Sequence, residues 1–241
     1  MDQEALFVSN NREDQLSTAQ VNEFRFRMAY RVAGNAVAIY LNNSQKKLPE
    51  ILFHVNISEW NYKSTYDSNR HDHILEGGRL VSSQSISSTL DDLTDVETDN
   101  LLVLAEADIF SLLVGPIAVA KYISIIDNEC FNVNLLTVNS LTYYGGSKNL
   151  ILIDDYLKCF WRSKSEKSKK LTEIFQQAFQ FVSEPERWLI IKTLAHFIFE
   201  QKKSLLDYQE IASVIEAADC LHQTEHNNLT NLWRLKNKGK V

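Results

Sequence analysis

The sequence predicts an α+β fold that is mainly α, with a small sheet beside the first long helix. Glycine and proline are scarce, 7 and 3 in 241 residues, which favours long helices over a turn-rich all-β fold. Apolar residues recur at helical spacing over most of the chain, whereas two short stretches, 51–57 and 77–81, have the pattern of strands. We therefore expect several long helices and a sheet of two or three strands.

The first helix is predicted to begin at Ser17-Thr18 and to run to about Asn43. After the two strands comes a long helix over 100–126, in which Gly115-Pro116 predicts a kink or a break because proline removes a hydrogen-bond donor. Segment 150–161 starts ambiguously, as strand or helix, and its continuation favours a helix. Three more helices are predicted, over 171–182, 186–201 and 208–222.

The bulk composition is that of a soluble globular protein. Hydrophobic residues make up 44% and charged residues 23%. The net charge of −6 excludes a general electrostatic attraction to nucleic acid or anionic lipid. Three scattered cysteines without paired spacing predict reduced, mostly buried thiols.

The same features predict one cytoplasmic domain without membrane contact. The N-terminus carries acid and lacks the apolar stretch of a signal peptide, and the most apolar segment, 101–126, is interrupted by charged residues. We expect a flexible N-terminus over 1–16, a single domain over 17–222 and a polar basic tail over 223–241.

The most informative motif lies in the first predicted helix, Tyr30-Arg-Val-Ala-Gly-Asn-Ala-Val37. Zinc peptidases of the H-E-x-x-H kind place two histidine ligands at i and i+4 of a helix, and a general-base glutamate at i+1. Here those three positions hold Arg31, Asn35 and Val32, with Ala-Gly between them as in the form His-Glu-Ala-Gly-His.

This segment and three later ones resemble, in the same order, the peptidase domain of FtsH-type, ATP-dependent zinc metallopeptidases. Residues 112–121 are similar to the family's Leu-Ala-Gly-x-Ala-Ala-Glu helix, and residues 188–215 to its closing helix pair. Gly145-Gly-Ser-Lys-Asn-Leu150 is similar to the Gly-x-Ser-x-Asp-Leu segment that carries the third zinc ligand, so the resemblance places Asn149 at that position. It covers roughly residues 20–218 and implies a stand-alone relative without the ATPase module and the membrane anchor.

The departures from the family pattern predict that zinc hydrolysis is absent at this place. A guanidinium stays protonated and has no lone pair for a metal, a carboxamide oxygen suits hard cations better than zinc, and valine takes no proton. We expect no cofactor, and we hypothesise that the Arg31 guanidinium occupies the space of the metal. There it would donate to the side-chain oxygens of Asn35 and Asn149.

The predicted function is therefore that of a catalytically inactive zinc-peptidase-like protein, a pseudopeptidase that acts as a binding or assembly module. Its cleft would hold a protein or peptide partner, along the exposed edge of the 51–57 strand. Because peptidase domains of this family form rings, the resemblance also implies self-association as a homo-oligomer.

Two other functions stay open from the residues. A metal-dependent hydrolase or peptidase would need a relocated site, built from His71, His73 and Glu76 or from the i, i+4 pair His222 and His226. A nucleic-acid-associated factor would use the basic segments 162–170 and 234–240, which lack the interleaved aromatic residues of single-strand binders.

Overall fold

The computed structural model describes residues 17–57, 75–81 and 94–221, and these residues have the predicted α+β, mainly α architecture. They form six α-helices, one 3-10 helix and three short strands that pair in one antiparallel sheet. The predicted flexible N-terminus and basic tail lie outside the described residues.

Helix α1 spans Thr18–Gln45, close to the predicted bounds. It starts there because Ser17 and Gln20 form a capping box, in which the Ser17 hydroxyl accepts the Gln20 N–H at 3.3 Å and the Gln20 side chain accepts the Ser17 N–H at 2.9 Å. The helix is buried almost continuously from Met28 onward. It packs mainly against α2 (Asp95–Ile126) and α5 (Pro185–Glu200), so α1 is the central helix of the fold.

The sheet is centred on strand β1, Phe53–Asn56. Strand β2, Leu75–Gly77, pairs with one edge of β1, and the two-residue strand β3, Leu205–Leu206, pairs with the other. The prediction of a peptide along the exposed edge of this strand is therefore wrong, because both edges of β1 are already paired.

The second strand also lies earlier than predicted, at 75–77 instead of 77–81. Gly77 and Gly78 have φ angles of +83° and +74°, which turn the backbone out of the ladder. At Gly78 a Cβ would lie 2.8 Å from Cδ1 of Ile39, so the turn packs directly on the C-terminal half of α1. The sheet lies beside the first long helix, as expected.

Helix α2 begins at Asp95 and not at residue 100, because Thr94 and Glu97 form a second capping box. It runs through Pro116 to Ile126 without the break that was one of the two predicted outcomes. By length and composition α2 is the one helix of the described residues that could cross a membrane. Of its most apolar window, 61% is buried inside the structure, as in the core helix of a soluble protein.

The remaining helices follow in quick succession. A 3-10 helix, Asn139–Tyr144, precedes α3, which spans Ser147–Phe160 and settles the ambiguous segment as helical. Helix α4 covers Lys164–Ser183, and α6 covers residues 208–221. Of the cysteines, Cys159 is half-buried whereas Cys130 and Cys220 are exposed, so the expectation of mostly buried thiols is wrong; no disulfide links any of the three.

Stacked aromatic rings join the three central helices. The Tyr30 ring of α1 lies with its centroid 4.3 Å from that of Tyr122 in α2 and 5.4 Å from that of Trp188 in α5. Beside them the Lys121 ammonium donates to the carbonyl of Val182 at 2.7 Å, and burial lowers the pKa of this lysine to about 8. Lys121 thereby satisfies a backbone acceptor at the C-terminal end of α4.

Candidate functional site

The turn of α1 that carries the motif lies directly on the backbone of α2 at Gly115. A Cβ at Gly115 would be 2.1 Å from Oδ1 of Asn35 and 2.7 Å from the carbonyl oxygen of Arg31. A Cβ at Gly34 would be 3.0 Å from the Gly115 Cα. Gly115 therefore has no room for a side chain at this crossing, whereas a methyl group at Gly34 would be tightly packed.

The Arg31 guanidinium reaches from α1 to the loop that precedes α3. Its Nη1 donates to the carbonyl of Gly145 at 2.8 Å, and a Cβ on Gly145 would lie 3.1 Å from the same nitrogen. Arg31 lies deep among its neighbours although water still reaches part of it, and burial lowers its pKa to about 10. The side chain therefore keeps its positive charge at neutral pH.

The hypothesised bond from Arg31 to the Asn35 side-chain oxygen is not formed. Oδ1 of Asn35 is buried and has no hydrogen-bond partner, because it is pressed against Gly115. Arg31 donates to the Gly145 backbone instead, and the side-chain contact described for Asn149 is with α2. That part of the sequence hypothesis is wrong.

Asn149 satisfies an acceptor that Pro116 leaves open. Because proline has no N–H, the α2 ladder leaves the carbonyl of Leu112, four residues earlier, without its usual donor. Nδ2 of Asn149 donates to this carbonyl at 2.6 Å. Gly146, three residues before Asn149, packs on the proline, since a Cβ there would lie 3.0 Å from Cγ of Pro116.

The structure thus brings the predicted residues to one stretch of α2, residues 112–116. Arg31 and Asn35 contact it from α1, and Asn149 contacts it from the first turn of α3. Val32, at the position of the general base, is 1% exposed and belongs to the hydrophobic core. Arg31, Asn35 and Asn149 are all half-buried, so solvent reaches the rim of this cluster.

Of the residues in the relocated metal sites, only Glu76 lies in the described part of the chain. It is paired with His54 across the two strands, with Nε2 and Oε2 2.9 Å apart. His71, His73, His222 and His226 lie outside it. Residues 17–57, 75–81 and 94–221 contain no group of three His, Cys, Asp or Glu side chains that could hold a metal ion.

The basic segment 162–170 includes the first turns of α4, and the segment 234–240 lies outside the described residues. Lys170 of this segment is engaged inside the fold, with Nζ 2.9 Å from Oε1 of Glu106 and 3.3 Å from Oε2 of Glu173. The charge of Lys170 is therefore partly compensated by these two carboxylates.

Sequence reasoning missed a buried acid two turns before Gly115. Asp108 is 2% exposed, and its two oxygens accept the backbone N–H groups of Leu80 and Val81 at 2.9 and 3.0 Å. The Tyr156 hydroxyl of α3 lies 2.5 Å from the Val81 carbonyl oxygen and 3.0 Å from Oδ2 of Asp108. One carboxylate thus joins α2, α3 and the segment after β2. The only signal in the sequence is an acid amid apolar residues of a predicted helix.

Burial raises the pKa of Asp108 to about 6, although its hydrogen bonds act in the opposite direction. Since the folded pKa lies above the ordinary value of 3.8, this group stabilises the fold fully below about pH 4 and loses that contribution as pH rises through 6. We expect Asp108→Asn to cost roughly 2 kcal/mol at pH 4.5 through a lost hydrogen bond, and much less at pH 8. Urea denaturation at both pH values measures this.

The exposed acid Asp99 in the same helix provides the control, because Asp99→Asn removes a carboxylate that water already solvates. A cost of Asp108→Asn that stays constant or grows between pH 4.5 and 8 would contradict the assignment.

Comparisons of the chain with protein-family models, with curated proteins and with solved structures find no match. The resemblance to the FtsH-type peptidase domain therefore stays a prediction from the four sequence blocks, and what the structure establishes is the mainly helical α+β fold with its three-stranded sheet.

Proposed function

We propose that this chain is a pseudopeptidase, a non-catalytic module that binds or assembles with a protein or peptide partner and does not cleave it. The observation that supports the proposal is that the side chains at the three former ligand positions make contacts within the fold. Arg31 donates to Gly145, Asn35 packs on Gly115, and Asn149 donates to Leu112. In a working zinc site these three side chains would converge on the metal instead.

The chemistry of the same positions agrees with this proposal. Arg31 stays protonated at neutral pH and offers no lone pair. Val32 lies in the core, where a valine has no role in proton transfer. Arg31, Asn35 and Asn149 form a half-buried cluster of polar groups, which suits recognition of a polar ligand.

The test is to mix the purified chain with fluorescently labelled, unfolded casein, with and without added zinc. We expect saturable binding by fluorescence anisotropy and no cleavage on gels, because the chain has a recognition surface without a hydrolytic centre. Sedimentation of the chain alone tests self-association in the same preparation. Cleavage that requires zinc and is stopped by a chelator would overturn the proposal, and so would the absence of both casein binding and self-association.

A restored variant tests the resemblance behind the proposal. Arg31→His, Asn35→His and Asn149→Asp together reinstate the three ligands of the family pattern. We expect the triple variant to be less stable without metal, because an aspartate at position 149 cannot donate to Leu112, and to bind one zinc ion with a rise in melting temperature.

The matched control moves the histidine pair one turn earlier, with Arg27→His, Arg31→His and Asn149→Asp. Its histidines have the same i, i+4 spacing, and Arg27 is an exposed residue paired with Glu23 at 2.8 Å. We expect zinc to bind this control at least tenfold more weakly. Equal affinities would show that the frame match is accidental.

A further inference from the structure

Arg31 is a positive charge without a matching negative charge in the described part of the chain. The one hydrogen bond that it makes there goes to the neutral Gly145 carbonyl, and burial is the only cause that changes its pKa. A guanidinium has five N–H donors, and buried charges in proteins are normally paired with an opposite charge. A neutral hydrogen-bond donor would be enough to hold α1 to this loop. The contact with Gly145 therefore does not explain why the side chain is charged.

The surroundings of Arg31 add to the positive potential. Gly146, next to its acceptor, is the N-cap of the 14-residue helix α3, and no side chain caps that helix. The first turn contains no acid. Unsatisfied N–H groups and the helix dipole both favour an anion at such an end. Gly145 is exposed and has no side chain to cover the guanidinium.

Apolar groups flank this loop in the chain. Tyr143 is 84% exposed and Ile151 is 63% exposed, although both are large hydrophobic residues. They stand two residues before Gly145 and two residues after Asn149, on either side of the loop. A ligand that combines an anionic group with an apolar side chain would suit these neighbours better than a free inorganic ion.

We propose that Arg31 and the N-terminus of α3 bind a carboxylate group of a peptide. The planar guanidinium matches a carboxylate in a two-point hydrogen bond, and the α3 N–H groups add neutral donors beside it. The site takes either a C-terminal carboxylate or an acidic side chain. This inference rests on the proposed function, since it names the ligand chemistry that the pseudopeptidase recognises.

The experiment compares three capped dipeptides on the full chain by NMR titration. The first is acetyl-Ala-Leu with a free carboxylate, the second its C-terminal amide, and the third acetyl-Ala-Asp amide. We expect at least one of the two carboxylate peptides to bind at least tenfold more tightly than acetyl-Ala-Leu amide. Binding of the first alone assigns a C-terminal carboxylate, and binding of the third alone assigns an acidic side chain. Binding of both peptides shows that the site accepts either kind of carboxylate.

Arg31→Gln should abolish this preference, since glutamine keeps a donor for Gly145 and removes the charge. Arg31→Lys keeps the charge without the planar fork, so we expect a three- to tenfold loss. Arg27→Gln, one turn earlier and exposed, should bind as the unaltered chain does. Circular dichroism of each variant checks that the fold is intact.

Two results would overturn the inference: equal binding of acid and amide by the unaltered chain, or an unchanged preference in Arg31→Gln. The casein assay separates this failure from that of the proposed function. Casein binding that persists in Arg31→Gln, together with no preference for carboxylates, would leave the binding module standing and remove the carboxylate site.

Discussion

Replacing Gly115 with alanine is expected to lower the free energy of unfolding by roughly 3 kcal/mol or more, because the new methyl group overpacks a tight helix crossing. The Cβ would lie 2.1 Å from Oδ1 of Asn35 and 2.7 Å from the carbonyl oxygen of Arg31. The Asn35 side chain can move, but the Arg31 carbonyl belongs to the backbone of α1. The two helices must therefore separate or unfold locally. Urea denaturation followed by circular dichroism measures the loss.

Gly34→Ala is the graded comparison at the same crossing. Its Cβ would lie 3.0 Å from Cβ of Ala118 and 3.1 Å from the Val114 carbonyl oxygen, which is tight without a direct overlap. We expect a loss smaller than that of Gly115→Ala. Alanine stabilises a helix relative to glycine by about 1 kcal/mol. If Gly115→Ala left the free energy of unfolding unchanged or raised it, the helices would not be in such close contact.

Replacing Asn149 with aspartate is expected to cost roughly 3 kcal/mol at pH 7, because a carboxylate would face a carbonyl oxygen and the N-terminus of α3 offsets only part of that repulsion. The Leu112 carbonyl and the Asn149 side chain are 2.6 Å apart, and a carboxylate has no hydrogen to donate there. The milder Asn149→Leu keeps most of the volume and should cost roughly 2 kcal/mol, the penalty of an unsatisfied acceptor.

Pro116→Ala supplies the internal control for this contact. Alanine restores the backbone N–H that can donate to Leu112, so Asn149→Leu should cost less than about 1 kcal/mol in that background. The four chains of this double-mutant cycle, compared by urea denaturation, isolate the coupling between the two residues. An equal cost of Asn149→Leu in both backgrounds would mean that proline and asparagine act independently.

The helices were accessible from sequence because their signals are local. Ser17 with Gln20 marks the start of α1, and the helical spacing of its apolar residues indicates how far the helix extends. Thr94 with Glu97 is a signal of the same kind that starts α2 earlier than the apolar pattern does. The fold class follows from such signals, since they also predict that most of the chain is helical.

The sheet and the candidate site depend on contacts between distant residues, which no local pattern specifies. Strand β3 is only two residues long, so nothing around Leu205–Leu206 indicates that it covers the second edge of β1. The sequence places Arg31 and Asn35 on one turn, but the bond to Gly145 depends on how the later loop packs. Likewise, Pro116 predicts an open carbonyl at Leu112, whereas the identity of its donor does not follow from spacing.

The pairing of β1 with β3 also has a consequence for folding during synthesis. Val55 and Asn56 pair with Leu206 and Leu205, residues that leave the ribosome long after the first strand. Until then the nascent chain exposes one row of unpaired backbone groups on β1, the kind of edge that recruits other strands. Chains that stop before residue 205 should therefore aggregate more readily than chains that contain it, because synthesis of Leu205 and Leu206 completes the protection of β1.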